Sequence, residues 1–200
     1  CLHEEHAVSI AHGYAKAVGE PIAVVLHSNV GLMHGSMGIF NAFCDRVPVM
    51  VLGATGPVDA AKRRPWIDWI HTAQDQGALI RNFIKWDDQP ASVEAAVESI
   101  YRANKIARTA PHGPVYVCLD ADLQEQKLAA PIVPPAAHRF AASDAPRPSD
   151  EAIRATAALL DGARRPAILS GRFARTQVAW DARVALAEKL GAVVFTDFKA

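Results

Sequence analysis

Two hundred residues, half of them hydrophobic and 21% charged, describe a soluble globular chain long enough for one large domain and part of another. Lysine plus arginine and aspartate plus glutamate balance at 21 each, which removes any overall electrostatic case for nucleic acid or an anionic membrane as a partner. The longest apolar runs, PIAVVL and VPVMVLGA, fall far short of the roughly 20 residues a membrane span needs, and three widely spaced cysteines without a CxxC predict reduced thiols in a cytoplasmic setting.

The opening stretch, CLHEEHAVSIAHGYAKAVGEP, carries Ala7, Ile10, Ala11, Tyr14, Ala15 and Val18 on one apolar face at the helical period, with Gly19 as its stop. Glu4 lies at the start of that helix, where the positive end of the helix dipole favours a carboxylate. From the residues alone it reads as a helix-start acid. A zinc reading of His3, Glu4 and His6 fails on spacing, because a metalloprotease helix needs its histidines at i and i+4. PIAVVLHS (21–28) and VPVMVLGA (47–54) are valine-rich runs of the kind buried on both faces of a parallel sheet, and Met33, Met37, Phe40 and Cys44 mark a helix face between them.

A stretch with Arg63, Arg64, Trp66, Trp69 and Trp86 follows. The basic pair reads as solvated, and the tryptophans as packing anchors or interface residues. Val93, Ala96, Val97, Ile100, Ala103 and Ala107 predict a longer helix, and GPVYVCLD (113–120) the next strand, with Cys44 and Cys118 on buried faces. Strands and helices thus alternate over residues 1–126 as an α/β open parallel sheet flanked by helices.

Residues 127–148 hold five prolines and no usable periodicity, and read as a linker. Residues 149–200 begin a second, Rossmann-like unit. Ser149 is a good N-cap, Ile153, Ala157 and Leu160 give a buried face, and Gly162 is the stop. RPAILSGR (165–172) predicts a strand, Ala182, Ala185, Leu186 and Leu190 a helix, and AVVFTDF (192–198) a further strand. The turn SGRFAR lacks a GxGxxG fingerprint, so nucleotide binding there is unsupported. An opening beside a helix and an ending after a strand predict that both units continue beyond this sequence.

LHEEHAVSIAHGYAKAVGEP, HSNVGLMHGSMGIFNAFCDRVPVMVLGA and GPVYVCLDADLQE, in this order and spacing, resemble the pyrimidine-binding domain of the thiamine-diphosphate enzymes, in the branch that holds benzoylformate decarboxylase, acetohydroxyacid synthase and related carboligases. KWDDQPAS and TAPHGPVYV are most similar to the benzoylformate decarboxylase pattern, and RRPAILSGR through KLGAVVFTDFKA to the central domain of the same enzymes.

The resemblance implies that Glu4 hydrogen-bonds the aminopyrimidine of the cofactor and activates it to the C2 ylide, a task that wants a poorly solvated carboxyl with its pKa kept high. His27 ends a strand at the carboxyl edge of the sheet, where a lone histidine is most often structural. The resemblance instead implies that the His27-Ser28 pair orients the substrate carboxylate and that His27 relays protons. Val30, Gly31 and His34 would meet the cofactor, with Gly31 allowing close backbone approach to its ring. His34 and the Val30-Gly31 turn depart from the synthase pattern, which has Gly-Pro-Gly and an asparagine. HTAQDQ (71–76) departs from its Phe-Gln-Glu segment, which argues against a strict acetolactate synthase.

The activity implied is decarboxylation or carboligation of a small 2-oxo acid by a homodimer or homotetramer. Thiamine diphosphate is the implied cofactor. Its Mg2+ and diphosphate site would lie in a further C-terminal domain, and FAD occupancy stays open. An acetolactate synthase-like transferase, an acyloin or acyl-thioester lyase and a non-catalytic scaffold are the rival readings. A dehydrogenase fails for want of a glycine fingerprint.

Overall fold

The computed structural model describes residues 1–196. It divides into two compact units, Cys1–Ala145 and Pro146–Ala200. In the first, helix α1 (Glu4–Val18) leads to strand β1 (Ile22–Val25), helix α2 (Ser28–Cys44) and strand β2 (Val49–Thr55). A segment of short 3-10 turns precedes strand β3 (Asp87–Asp88), helix α3 (Val93–Arg108), strand β4 (Val115–Asp120) and helix α4 (Ala121–Glu125). All pairings are parallel, in the order β1-β2-β4-β3, with Val24 opposite Val51 and Val51 opposite Tyr116.

Side-chain alternation along the central strands makes two layers. Val49, Val51, Tyr116 and Cys118 point to one face and pack with Val8, Ala11, Ala15, Leu32, Ile39 and Ala42 of α1 and α2. Met50, Val115 and Val117 point to the other and pack with Ala103 and Ala107 of α3. The valine runs of β2 and β4 are therefore buried on both faces. β1 is not: Val24 of this outer strand and Leu26 just after it are buried, but Ala23 and Val25 are exposed.

The apolar faces expected for α1 and α2 are corrected by the structure. Val8, Ala11 and Ala15 face inward on α1, and Leu32, Ile39 and Ala42 on α2, while Ile10, Tyr14, Val18, Met33, Met37 and Phe40 are exposed. The reason is the closeness of the two helices. A Cβ on Gly38 would stand 2.9 Å from Val8 Cγ1, and one on Gly35 2.9 Å from Leu26 Cδ1. Contact this tight selects small residues for the inner face and turns the long apolar ones outward.

The loop basic pair is also structural. Arg63 donates to the carbonyls of Pro57 and Val58, and Arg64 clasps the buried Asp68. Trp66 and Trp69 are exposed, whereas Trp86 packs against the α3 layer. Cys118 is buried, Cys44 partly so, and both are free. Within residues 127–148 a 3-10 turn, Ala137–Phe140, lays Phe140 5.5 Å from Tyr101 of α3.

The second unit contains helix α5 (Asp150–Asp161), capped by Ser149, strand β5 (Ala167–Ser170), helix α6 (Gln177–Leu190) and strand β6 (Val193–Thr196). β5 and β6 pair in parallel, Ala167 opposite Val193. The last two residues of AVVFTDF lie outside the described residues. Among those described, no helix is long and apolar enough to cross a membrane.

Candidate active site

α1 begins at Glu4 because His3, in extended conformation, caps it: His3 Nδ1 accepts the backbone N–H of Glu5 at 3.2 Å. Glu4 therefore stands in the first turn, about one quarter exposed, at the wall of a cavity of about 460 Å³. His27 lines the same cavity, together with His3, Ile10, Val24 and Val25. It arrives there as the residue between β1 and α2, at the carboxyl edge of the sheet.

Of the other candidates, His34 touches Glu4 directly, with Nδ1 3.3 Å from Oε2. Gly31 lies behind the carboxylate: a Cβ there would stand 3.1 Å from Glu4 Cγ and 3.4 Å from Oε1. The space that glycine leaves is taken by the Glu4 side chain, so a larger residue at position 31 would push the carboxylate aside. Ser28 is 4% exposed and its hydroxyl donates to Asn29 Oδ1 at 2.7 Å, so it does not line the cavity. Its φ of 47° puts a non-glycine residue in the left-handed region, a strained elbow that turns β1 into α2. Val30 is exposed beside it, outside the cavity lining.

The Glu4 carboxyl is held below the ordinary carboxylate range by its backbone hydrogen bond first and by His34 second, and both outweigh the desolvation it suffers. In the free site the carboxyl is thus held low. The physical reason is that charge-favouring donors surround an acid that water still reaches.

Two histidine pairings escaped the sequence reading. His3 stacks on His34 with ring centroids 4.8 Å apart, so that His34, and not His6, completes a group with His3 and Glu4 whose possible metal-ligand atoms all lie within 4.8 Å. His71 Nε2 lies 3.2 Å from His27 Nε2. Neither pairing carries a local signal, because 30 or more residues separate the partners. A larger cavity, about 930 Å³, lies in the second unit between Phe173, Arg175, Trp180 and Arg183, without the glycine turn of a nucleotide site.

Residues 1–80 match the family model described as thiamine pyrophosphate enzyme, N-terminal TPP binding domain. Over these residues the chain belongs to the thiamine pyrophosphate enzymes. Its sequence is 32% identical, over 97% of this chain and 34% of the relative, to a Pseudomonas aeruginosa protein described as "probable 2-ketoarginine decarboxylase". It is 26% identical to the benzoylformate decarboxylase of the same organism, over 94% of this chain and 35% of that enzyme. Among solved structures, the thiamine diphosphate-dependent 4-hydroxybenzoylformate decarboxylase of Rhodococcus jostii superposes with a TM-score of 0.80 at 26% identity, covering 98% of this chain and 36% of that one. The chain thus spans about a third of the length of these thiamine pyrophosphate enzymes.

Proposed function

We propose that the protein containing this chain decarboxylates a 2-oxo acid with thiamine diphosphate, with Glu4 as the acid that activates the cofactor and His27 as the group that handles substrate protons. The observation that carries the reading is that Glu4 and His27, 23 positions apart, face one cavity at the carboxyl edge of a parallel sheet. Relatives described as decarboxylases of 2-ketoarginine and benzoylformate support the substrate class.

The residues fit the pyrimidine end of the cofactor. An open carboxylate stands at the cavity wall, with a glycine behind it and an imidazole beside it. Thiamine diphosphate, when bound, supplies the nucleophilic carbon and the electron sink that decarboxylation requires. Glu4 would share a proton with the ring through Oε1 or Oε2, His34 would hold that carboxylate in place, and Val30 would give an apolar contact at the rim. His27 would orient the substrate carboxylate and hold or return a proton. Ser28 contributes through the backbone elbow that aims His27. Mg2+ and the diphosphate would be held by residues outside this chain.

A homo-oligomer is part of the proposal, because long apolar side chains on α1 and α2 face solvent in the isolated chain. A cytoplasmic setting accords with three free cysteines. The test is carbon dioxide release by the full-length protein from aliphatic and aromatic 2-oxo acids, with thiamine diphosphate and Mg2+. Release from one class, abolished in Glu4→Gln, is the expected outcome. Release that survives Glu4→Gln would overturn the role of the acid. Cofactor binding without release from any acid would favour an acyloin or thioester lyase.

A further inference from the structure

The His27 imidazole ends on a second imidazole, and the chemistry of the pair assigns their protons. His27 Nε2 and His71 Nε2 lie 3.2 Å apart, with the rings edge to face at 71°. Two neutral imidazole nitrogens form a hydrogen bond only if one carries the proton and the other the lone pair. The far side of His71 decides which. Its Nδ1 lies 3.1 Å from the carbonyl oxygen of Ile67, and a carbonyl only accepts, so Nδ1 bears the proton. Neutral His71 then offers a lone pair at Nε2, and the proton between the rings belongs to His27. The lone pair of neutral His27 is left at Nδ1.

We propose that His71 is a positioning residue that fixes His27 as its Nε2–H tautomer, which makes Nδ1 of His27 the atom that takes and returns the proton in turnover. The proposal rests on the reading of His27 as the proton-handling group and names the atom and the partner that reading lacks.

The turn that presents His71 is held from several sides, as an orienting group requires. Asp68 is 2% exposed and accepts from the backbone N–H of Arg64 at 2.7 Å, from its Nε at 3.2 Å and from its Nη2 at 3.0 Å. The Asp68 carbonyl accepts from the backbone N–H of His71 at 3.1 Å and from Thr72 Oγ1 at 2.6 Å. Gly56, just past β2, donates to the His71 carbonyl at 3.0 Å. A Cβ on Gly56 would fall 2.3 Å from Thr72 Oγ1 and 3.1 Å from Asp68 Cβ, so only glycine lets the turn sit this close to the strand end. β1 and β2 are parallel neighbours, so the turn seated on Gly56 past the end of β2 lies at the same sheet edge as His27.

The test uses the full-length protein with 15N-labelled histidine, the wild type beside His71→Gln and His71→Phe. Glutamine keeps an acceptor for the His27 proton, and phenylalanine keeps the bulk without it. In the wild type His27 should show a protonated Nε2 and a bare Nδ1, with the opposite pattern at His71. His71→Phe should scramble the His27 tautomer and lower kcat by about tenfold or more with little change in KM, as loss of an orienting partner does. His71→Gln should restore both within about threefold.

A wild-type His27 protonated at Nδ1, or a His71→Phe variant with tautomer and kcat unchanged, would overturn the proposal. The parent reading fails separately: if His27→Ala keeps turnover within about threefold, His27 is not the proton-handling group, because general acid–base steps are worth about a hundredfold or more. Should His71→Phe not fold, the wild-type tautomers and the glutamine variant still decide the matter.

Discussion

The charge on Glu4 is the property of a single residue that a solution measurement reaches most directly. Free of cofactor, its carboxyl is held low by a backbone N–H and by His34, so it is ionised at neutral pH. A bound ring would exclude water from it and add a group with which a proton must be shared, and both raise a carboxyl pKa. Binding should therefore take up a proton. Affinity for thiamine diphosphate should fall as pH rises above the low value at which the free Glu4 carboxyl ionises, and calorimetry of the full-length protein in buffers of different ionisation enthalpy should register uptake that Glu4→Gln loses. Equal proton balance in both proteins would remove Glu4 from the cofactor contact. Position 4 was legible as an acid at a helix start, because the dipole argument is local. Its pairing with His34 was not, since it depends on where α2 lies against α1.

At the level of elements, glycines and one buried acid set the geometry. Gly13 and Gly38 are both helical, but a Cβ at Gly13 meets nothing within 4 Å and one at Gly38 meets the branched Val8 at 2.9 and 3.0 Å. Replacing a helical glycine by alanine gains about 1 kcal/mol of propensity, while overpacking a buried contact costs about 1–3 kcal/mol. Gly13→Ala should thus raise the urea midpoint and Gly38→Ala lower it. If Gly38→Ala proved the more stable, the α1–α2 contact would be looser than described.

Asp68 gives a pH signature. Hydrogen bonds from Arg64 hold its carboxyl below the ordinary range, so its folded pKa is depressed. Its contribution to stability is then full above the unfolded value of about 4 and is lost as pH falls through the lower folded value. Asp68→Asn should be less stable at neutral pH and should lose less on acidification below about pH 4. Parallel Tm profiles for the two proteins would contradict this. Arg64 and Asp68 sit four residues apart, yet the sequence marked the arginine only as a surface charge, because its partner is buried by a turn that packs on Gly56, past the end of β2.

For the molecule as a whole, the unpaired surface is the informative one. Ile10, Tyr14 and Val18 of α1 and Met33, Met37 and Phe40 of α2 are exposed in the isolated chain. If they meet another copy in the full-length protein, Tyr14→Glu combined with Met37→Glu should reduce the particle mass seen by light scattering and leave the far-ultraviolet circular dichroism intact. An unchanged mass would place the interface elsewhere.

What the sequence determined by itself was the succession of layers. Valine runs such as VPVMVLGA and GPVYVCLD, separated by helical periods, can be buried on two faces only as parallel strands between helices, and both facts are local in the chain. Tertiary structure decided which side of each helix lies inside, because the approach of α1 to α2 admits only small residues there, whatever the periodicity suggests. It also decided which histidines meet. Strand order and a glycine-seated turn bring His71 to His27, and the α1–α2 packing brings His34 to Glu4, contacts that no spacing along the chain encodes.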